Sequence, residues 1–403
     1  MANFDLTTMA AVVTEYKNKK GLQDISPLDK FWIENSNVQQ GRFQGSKAVV
    51  PVIYGSSLGT GVTAAAAGTN AAAGANARFE VSTVKLYHRI KIDNEFLQSA
   101  YQEGEGSFYK AVTDPVKAGM NALAKEIEFN VPRNDYGIRA TVASESTTTL
   151  TLTEEADSLW LEEDMTLGAA SSEGAAARSG TQTIAAINGA TITGDGNWSA
   201  ISGLTAGDVL FRVNTTTEYG ARSEGFGSLF PTSRTGTVHG VNVATNANKL
   251  GGVYYDGSSE TLSQAFINGS ARGATFGARP DFYSMNPKTY GELCVELEQQ
   301  KRITSRDAKG SVGLTGICVN TPGGVAEIVP VPSVPVNRIY GINKGSVQIL
   351  HRGEKLMNWA TDGANKGEVL QYDMANDVYQ AQLVCYYNVV SNAPGLNVVI
   401  ALA

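Results

Sequence analysis

The stretch RPDFYSMNPKTYGELCVELEQQKR, Arg279 to Arg302, predicts a short strand that runs directly into a helix. The strand is the apolar run at 282–285. Asn286 is a favourable N-cap and Pro287 a favourable first helical residue, because the N–H that proline lacks would have no partner there. Four residues then recur at helical spacing and predict one packed face: Tyr290, Leu293, Cys294 and Leu297.

The composition of the chain limits the classes of function that it can have. It has 403 residues, of which 42% are hydrophobic and only 18% charged, and its length suits roughly two or three domains. Low charge is one result of burying surface between subunits, although 43 glycines and many small residues also contribute. The net charge of −7 argues against a surface built to grip phosphates, but it does not exclude the enclosure of DNA.

Cysteine usage and the chain ends indicate a protein made in the cytoplasm. Cys294, Cys318 and Cys385 are far apart and odd in number, so we expect buried, reduced thiols. Residues 1–20 lack the apolar core of a secretion signal, and the apolar run at 398–403 is too short to span a bilayer. We expect no membrane association.

The N-terminal region predicts a long hairpin. Lys47–Tyr54 and Arg78–Phe96 read as two strands, and the small residues of 55–77 read as the tip between them. A two-stranded hairpin is marginal alone in water, so it needs a surface to lie on, in its own subunit or a neighbour's. Before it, residues 4–19 predict an amphipathic helix, whose apolar face includes Leu6, Met9 and Val13.

Five basic residues stand out in this hairpin. Lys85, Arg89 and Lys91 share one face of the second strand, since they are two or four residues apart, and Lys47 and Arg78 add to them. They form either a solvated edge that prevents aggregation or an arm that docks on an acidic neighbouring subunit. With Leu6, Met9 and Val13 they are our candidates for contacts between subunits.

The remaining segments predict a mixed architecture. Residues 98–131 read as a long helix that restarts or kinks at Asp114–Pro115 and ends at Val131–Pro132, and Gly119 within it indicates close packing. Short Thr-rich strands fill 145–214, where Asn188–Gly189 signals a hairpin, and they suggest an inserted barrel or sandwich. Strands at 379–390 and 396–402, with a turn at Pro394–Gly395, predict an antiparallel pair.

No catalytic, cofactor or metal site is predicted. Gly55–Gly59 fits the hydrolase pattern G-x-S-x-G, with Ser57 in the nucleophile position, but the required helix does not follow. Gly59–Ala64 fits a relaxed dinucleotide fingerprint without a βαβ unit around it. The three histidines are far apart, and the acidic run at 154–164 lacks the spacing of a calcium loop, so structural roles are favoured.

The order of these elements and the amino-acid sequence of residues 279–302 resemble those of tailed-bacteriophage major capsid proteins of the Hong Kong 97 type. The resemblance implies an α+β fold divided as follows: N-terminal arm, 1–45; extended loop, 46–97; peripheral domain with the spine helix, 98–144; inserted β domain, 145–214; peripheral loop region, 215–259; axial domain, 260–385; and a C-terminal strand that returns to the peripheral domain, 386–403. The tip has no lysine between Lys47 and Lys85, so covalent crosslinking of subunits is not expected.

The resemblance further implies a structural protein of the virion, with no enzyme activity and no cofactor. Copies of the chain would form the hexamers and pentamers of an icosahedral shell that encloses double-stranded DNA. A portal protein at one vertex is implied, and a separate scaffolding protein and a decoration protein are left open. Three alternatives remain: an encapsulin-like shell around protein cargo, a β-rich adhesion protein of a phage tail or surface, and an esterase that uses Ser57.

Overall fold

The computed structural model has an α+β architecture and describes residues 30–41, 43–69, 71, 74–95, 97–98, 105–214, 218–299, 317–321, 324–353, 355–360 and 371–403. Within these ranges the main helices are α1 Phe31–Asn35, α2 Ala64–Thr69, α3 Glu105–Asn130, α4 Phe226–Leu229, α5 Ala247–Leu250, α6 Leu262–Thr275 and α7 Pro287–Gln299. The first strands are β1 Asn37–Gln40, β2 Phe43–Gln44, β3 Lys47–Ile53, β4 Asn76–Ser82, β5 Val84–Asp93, β6 Ile138–Glu145, β7 Thr149–Leu152, β8 Thr166–Ala170, β9 Gln182–Asn188, β10 Thr191–Gly194, β11 Val209–Arg212, β12 Thr237–Val238 and β13 Val241–Asn242. The remaining strands are β14 Val253–Asp256, β15 Phe282–Met285, β16 Ile317–Thr321, β17 Gly324–Pro330, β18 Arg338–Ile342, β19 Val347–His351, β20 Asn358–Trp359, β21 Gln371–Asp373, β22 Val378–Ser391 and β23 Val398–Ala401.

The strand-to-helix element at 282–299 is confirmed. All four residues of β15 are buried, and α7 begins at Pro287. The Asn286 Oδ1 atom accepts a hydrogen bond from the Lys288 N–H at 3.0 Å, which is the geometry of an N-cap. The Asn286 Nδ2 atom donates to the Val334 carbonyl at 3.0 Å, so the same side chain also holds the loop before β18. Tyr290, Leu293 and Leu297 pack in the core of this region.

Two large sheets organise the chain outside the barrel. Sheet I is built around β22, which pairs with β5 along one side and with β19, β20 and β21 along the other, while β1 adds to β19. Sheet II has the strand order β14-β23-β18-β15-β17-β16. Helix α3 packs on sheet I, and α6 and α7 pack on sheet II. The two sheets therefore lie under different helices.

The structure corrects two strand predictions. Arg78–Phe96 is two strands, because β4 pairs with β3 in a small sheet with β2, whereas β5 pairs with β22 in sheet I. The C-terminal strands β22 and β23 are not an antiparallel pair, because β23 pairs with β14 and β18 in sheet II. The range 386–403 is thus divided between two sheets. Alternation of apolar residues reports which face of a strand is buried and does not report its partner.

The connection between β22 and β23 shows why they separate. A short 3₁₀ turn at Pro394–Leu396 redirects the chain. Asn397 then follows with no exposed surface. Its Oδ1 atom accepts a hydrogen bond from the Asn343 N–H at 2.9 Å, which fixes the start of β23 beside the end of β18. The chain crosses from one sheet to the other at this residue.

Helix α3 lies against sheet I without interruption. It runs through Pro115, so the predicted restart or kink at Asp114–Pro115 does not break it, and it ends just before Val131–Pro132 as expected. A Cβ atom on Gly119 would lie 2.8 Å from Ile90 Cδ1 and 2.9 Å from His88 Cδ2. The glycine therefore permits close approach of the helix to β5. No helix in the described part of the chain is long and apolar enough to cross a membrane.

The Thr-rich region forms a closed barrel of six strands, in the order β10-β7-β6-β11-β8-β9. Its first strand starts at Ile138, ahead of the predicted start at 145. The Asn188–Gly189 hairpin is present, since Thr191 pairs with Asn188 and Gly189 has a φ of +57°. The barrel has its own core around Leu150, Ile192 and Trp198. The domain boundaries given above stay predictions.

Candidate assembly surface

The hairpin of β3 and β4 is anchored to its own chain by one face. The side chains on that face are buried: Ala48, Val52, Phe79 and Val81. They join the same core as Val238 and Leu250. The Glu80 N–H donates to the His239 carbonyl at 2.9 Å, and Lys249 Nζ donates to the Tyr54 carbonyl at 2.8 Å. The hairpin thus finds part of the surface it needs within its own chain.

The other face of the hairpin and its tip have no apolar cover in the described residues. Ile53 is 82% exposed and Val49 is 45% exposed, both on the outward face of β3. Leu58 is 68% exposed and Val62 is fully exposed in the tip. We call these four residues the outer hairpin surface. Exposed apolar side chains on one face and at the tip of a hairpin make this surface a candidate docking site.

Two of the five candidate basic residues belong to this hairpin. Lys47 Nζ lies 2.9 Å from Glu80 Oε2, and Arg78 Nη2 lies 2.6 Å from Glu80 Oε1. The hydrogen bonds from Lys47 and Arg78 lower the pKa of Glu80 to about 2. The hairpin is therefore less basic than its sequence indicates, because one carboxylate compensates one of the two cations.

The other three basic residues lie elsewhere. Lys85, Arg89 and Lys91 are on β5 in sheet I, and they share one face of that strand as predicted. Arg89 Nη2 donates to Gln382 Oε1 at 3.3 Å. Among the described residues none of the three forms an ion pair. The structure does not bring all five basic residues together on one hairpin, because the chain changes sheet at Thr83.

Leu6, Met9 and Val13 lie outside the described residues, so their contacts stay predictions. The first described segment after them in the sequence is α1, which is bound to the rest of the chain by hydrogen bonds. The N–H groups of Trp32 and Ile33 donate to the carboxylate of Glu128 at 2.9 and 2.7 Å, and Trp32 Nε1 donates to Ser333 Oγ at 2.9 Å. Trp32 is 1% exposed. The end of the predicted N-terminal arm is therefore fixed between α3 and the segment before β18.

A cluster of charges that the sequence did not reveal joins the barrel to α3. The carboxylate of Glu126 on α3 receives Arg139 Nη2 at 2.8 Å, Arg212 Nη1 at 3.1 Å and Arg222 Nη1 at 2.9 Å. Arg212 and Arg222 also contact Glu218. We call these five residues the junction cluster. Its arginines lie 13, 86 and 96 residues from Glu126, so no local spacing could have pointed to it.

The junction cluster fixes the charge of Glu126. Burial alone would raise the pKa of this carboxyl, but the nearby guanidinium groups of Arg139, Arg222 and Arg212 outweigh it and hold the pKa well below its usual range. Arg139 is only 3% exposed at its side chain and also donates to the Trp160 carbonyl at 2.8 Å. The barrel is thus fastened to α3 by a buried and ionised network.

Further ion pairs hold the barrel in place. Each joins an acidic residue of the barrel to a basic residue of the surrounding chain: Lys125–Glu162 at 2.8 Å, Arg133–Asp157 at 3.2 Å and Lys288–Glu154 at 2.7 Å. The first and last involve exposed side chains and contribute little stability each. Together with the junction cluster they define one orientation of the barrel relative to α3 and α7.

The alternative chemical sites are not formed in the described residues. Ser57 lies in an exposed segment that separates β3 from α2, so the strand does not turn directly into a helix. Strands β3 and β4 are antiparallel, whereas a dinucleotide fingerprint requires a βαβ unit. His239 has a structural role, since its Nε2 lies 2.9 Å from the Val389 carbonyl and its Nδ1 2.5 Å from Glu224. No cluster of His, Cys, Asp or Glu in the described ranges could hold a metal ion.

The fold has counterparts among solved structures. A chain of the cyanophage A-1(L) capsid matches with a TM-score of 0.55 and 11% identity, covering 94% of both chains. A capsid chain of a native GTA particle matches at 0.46 and 10%, covering 99% of both, and a chain from Mycobacterium phage Bobi at 0.42 and 11%, covering 100% of this chain and 99% of that one. No protein-family model matches the sequence, and a search of curated proteins found no significant match. Of the three, only the cyanophage chain exceeds a TM-score of 0.5, and it shows that this chain has the fold of a phage capsid protein, as expected from the resemblance.

Proposed function

We propose that this chain, which has the fold of a phage capsid protein, is the major capsid subunit of a tailed bacteriophage. Copies of it would form the hexamers and pentamers of an icosahedral shell that encloses double-stranded DNA. The observation that carries the proposal is the outer hairpin surface. A hairpin fixed to its own chain by one face, with apolar residues exposed on the other face and at the tip, is suited to lie on a neighbouring subunit.

The neighbouring subunit would cover Ile53, Leu58 and Val62 and remove their apolar surface from water. Lys47, Arg78 and Glu80 stand beside them as a charged border, a common arrangement of apolar centre and polar rim. Because these contacts exist only in the assembly, assembly would stabilise the folded subunit by mass action. Leu6, Met9 and Val13 are proposed as a second contact through the predicted N-terminal helix.

The closed barrel is proposed to be an insertion in the capsid fold, carried by α3 through the junction cluster. The protein would be synthesised in the cytoplasm of the bacterial host and become part of the virion. Its proposed partners are other copies of itself and a portal protein at one vertex. A separate scaffolding protein and a decoration protein are compatible with this arrangement. The proposed role is structural and requires no cofactor.

The test is removal of the hairpin tip. Residues 56–74 are deleted so that Gly55 precedes Ala75, because the Gly55 N–H already donates to the Ala75 carbonyl at 3.0 Å. We expect the variant to keep its circular dichroism spectrum and its thermal midpoint as a free subunit. We also expect it to lose closed shells, as seen by negative-stain electron microscopy and sedimentation velocity beside the unmodified chain.

A point variant provides a matched comparison. Ile53→Ser removes one exposed apolar side chain from the outer hairpin surface, and Met374→Ser removes another, 88% exposed, from the turn between β21 and β22. We expect only Ile53→Ser to weaken assembly. Normal shells from the tip deletion would contradict the proposal. Shells that contain protein cargo and no DNA would instead support an encapsulin-like compartment, and a persistent monomer even with added scaffold would favour the adhesion protein.

A further inference from the structure

Charge is distributed very unevenly along this chain. Residues 138–212, which form the barrel, contain ten acidic and three basic side chains, a net charge of −7. The whole chain also has a net charge of −7, so the residues outside the barrel sum to zero. All three basic side chains of the barrel are already in ion pairs: Arg139 and Arg212 with Glu126, and Arg178 with Asp208. No basic residue of the barrel itself is left to offset its acidic surface, and three of its carboxylates are paired with Lys125, Arg133 and Lys288 from the surrounding chain.

The exposed acidic residues of the barrel include six that form no ion pair with any described residue: Glu145, Glu155, Glu163, Asp164, Glu173 and Asp195. A polyanion would be repelled by this surface, and the repulsion would be strongest at low ionic strength.

The barrel and the basic residues of β5 lie on opposite sides of sheet I. His88 and Ile90 face α3, since a Cβ on Gly119 would touch both. The same helix carries Glu126, which binds Arg139 and Arg212 of the barrel, so this side of β5 is the side of α3 and the barrel. Successive side chains of a strand point to opposite faces. Lys85, Tyr87, Arg89 and Lys91 therefore point away from α3 and the barrel.

The face that bears these residues is rich in donors, and its β5 side is largely exposed. It consists of Lys85, Tyr87, Arg89 and Lys91 on β5 with Gln380, Gln382, Val384 and Tyr386 on β22, of which Val384 is buried, and we call it the open face. Tyr87 is 48% exposed, and its hydroxyl lies 3.5 Å from that of Tyr386. Lys85 and Arg89 are exposed and about 13 Å apart along the strand. Among the residues that the structure describes, the carboxylates on this face are Asp93 and Asp373, which stand at the far end beside Lys91.

We propose that the open face contacts the phosphate backbone of enclosed duplex DNA, while the barrel lies on the opposite, outward side of the shell. This proposal rests on the proposed function. Lysine, arginine, glutamine and tyrosine side chains are the usual donors to phosphate oxygens, and such contacts carry no sequence information. The reverse orientation would place the six unpaired carboxylates of each barrel against the DNA. The acidic balance of the whole chain therefore conceals a surface that attracts DNA.

The test compares two double variants of the full chain. Lys85→Gln/Arg89→Gln removes two cations from the open face, and Lys47→Gln/Arg78→Gln removes two from the hairpin, so the net charge changes equally. Fluorescence anisotropy measures the binding of a short duplex DNA of random sequence between about 50 and 200 mM salt. We expect the first variant to bind about tenfold more weakly at the lower salt and to lower the slope of log K against log salt by about 2. We expect the second variant to match the unmodified chain.

Three outcomes would overturn this proposal. The unmodified chain could fail to bind the duplex, or both variants could weaken equally, which would reflect net charge alone. Lys85→Gln/Arg89→Gln could also bind DNA normally yet fail to form shells, which would assign the open face to an acidic neighbouring subunit. Circular dichroism confirms folding of each variant. If the unmodified chain forms no shells even with added scaffold while the binding difference holds, the capsid proposal fails and the open face remains a nucleic-acid surface.

Discussion

Replacement of Glu126 by glutamine should weaken the attachment of the barrel to α3. The carboxylate of Glu126 accepts hydrogen bonds from Arg139, Arg212 and Arg222 at 2.8 to 3.1 Å. A neutral amide has one acceptor oxygen in place of two and turns its NH₂ group toward guanidinium donors. Glu218 would still form ion pairs with Arg212 and Arg222, but Arg139 would have no carboxylate partner and would retain its hydrogen bond to the Trp160 carbonyl.

The size of the effect follows from the burial of Arg139. Its side chain is 3% exposed, so water cannot replace the lost carboxylate. Removal of one partner of a buried ion pair typically destabilises a protein by about 3–5 kcal/mol. We expect Glu126→Gln to lower the free energy of unfolding by this amount. Glu126→Gln/Arg139→Met should recover most of it, because the unpaired charge is then absent and the methionine fills similar space.

Guanidinium unfolding followed by tryptophan fluorescence measures these changes. The ring of Trp160, one of four tryptophans in the chain, packs 5.2 Å from that of Phe129 on α3, so the total emission includes a signal from the junction. All variants are compared at one protein concentration, since assembly shifts apparent stability. A free energy of unfolding for Glu126→Gln that lies within about 0.5 kcal/mol of that of the unmodified chain, which is the usual range for surface substitutions, would refute the reasoning. So would a double variant no more stable than Glu126→Gln.

Two more predictions concern the contact of α3 with sheet I. Gly119→Ala should lower the free energy of unfolding by about 1–3 kcal/mol, because the added Cβ would overlap Ile90. Gly291→Ala in α7, which has open space around it, should raise the free energy of unfolding by up to about 1 kcal/mol in the same denaturation assay. Equal effects of the two variants would show that α3 can shift away from β5. Burial first and the charge of Arg212 second lower the pKa of His88 below its ordinary 6.5. Because the unfolded chain then binds the proton more readily, stability should be constant above about pH 6.5 and fall as the pH drops below it. His88→Gln should remove this part of the pH dependence in thermal denaturation, and an unchanged profile would contradict the assignment.

Local signals in the sequence predicted local structure well. The N-cap at Asn286, the helix end before Val131–Pro132 and the Asn188–Gly189 hairpin are all confirmed. Each of these features depends on the backbone preferences of a few neighbouring residues, and those preferences can be read from the sequence. The close approach at Gly119 was also anticipated, because a glycine inside a helix indicates packing against a neighbour.

The pairing of strands could not be predicted in the same way. Arg78–Phe96 alternates continuously, yet Thr83 separates strands that belong to different sheets. The same limit applies to 379–390 and 398–401, which are close in sequence and pair with different partners. The junction cluster depends on contacts across 86 and 96 residues, and each arginine alone is indistinguishable from a surface residue. Grouping charges by the barrel and the sheet faces was possible only once the topology was known.

The position of β23 in sheet II also determines when this sheet can close during synthesis of the chain. This strand lies between β14 and β18, and both of its neighbours are translated before it. Until residues 398–401 leave the ribosome, β14 and β18 have open edges that cannot pair with each other, and the nascent chain cannot close this sheet. The closing of sheet II therefore follows the synthesis of residues 398–401 and of every other strand in that sheet.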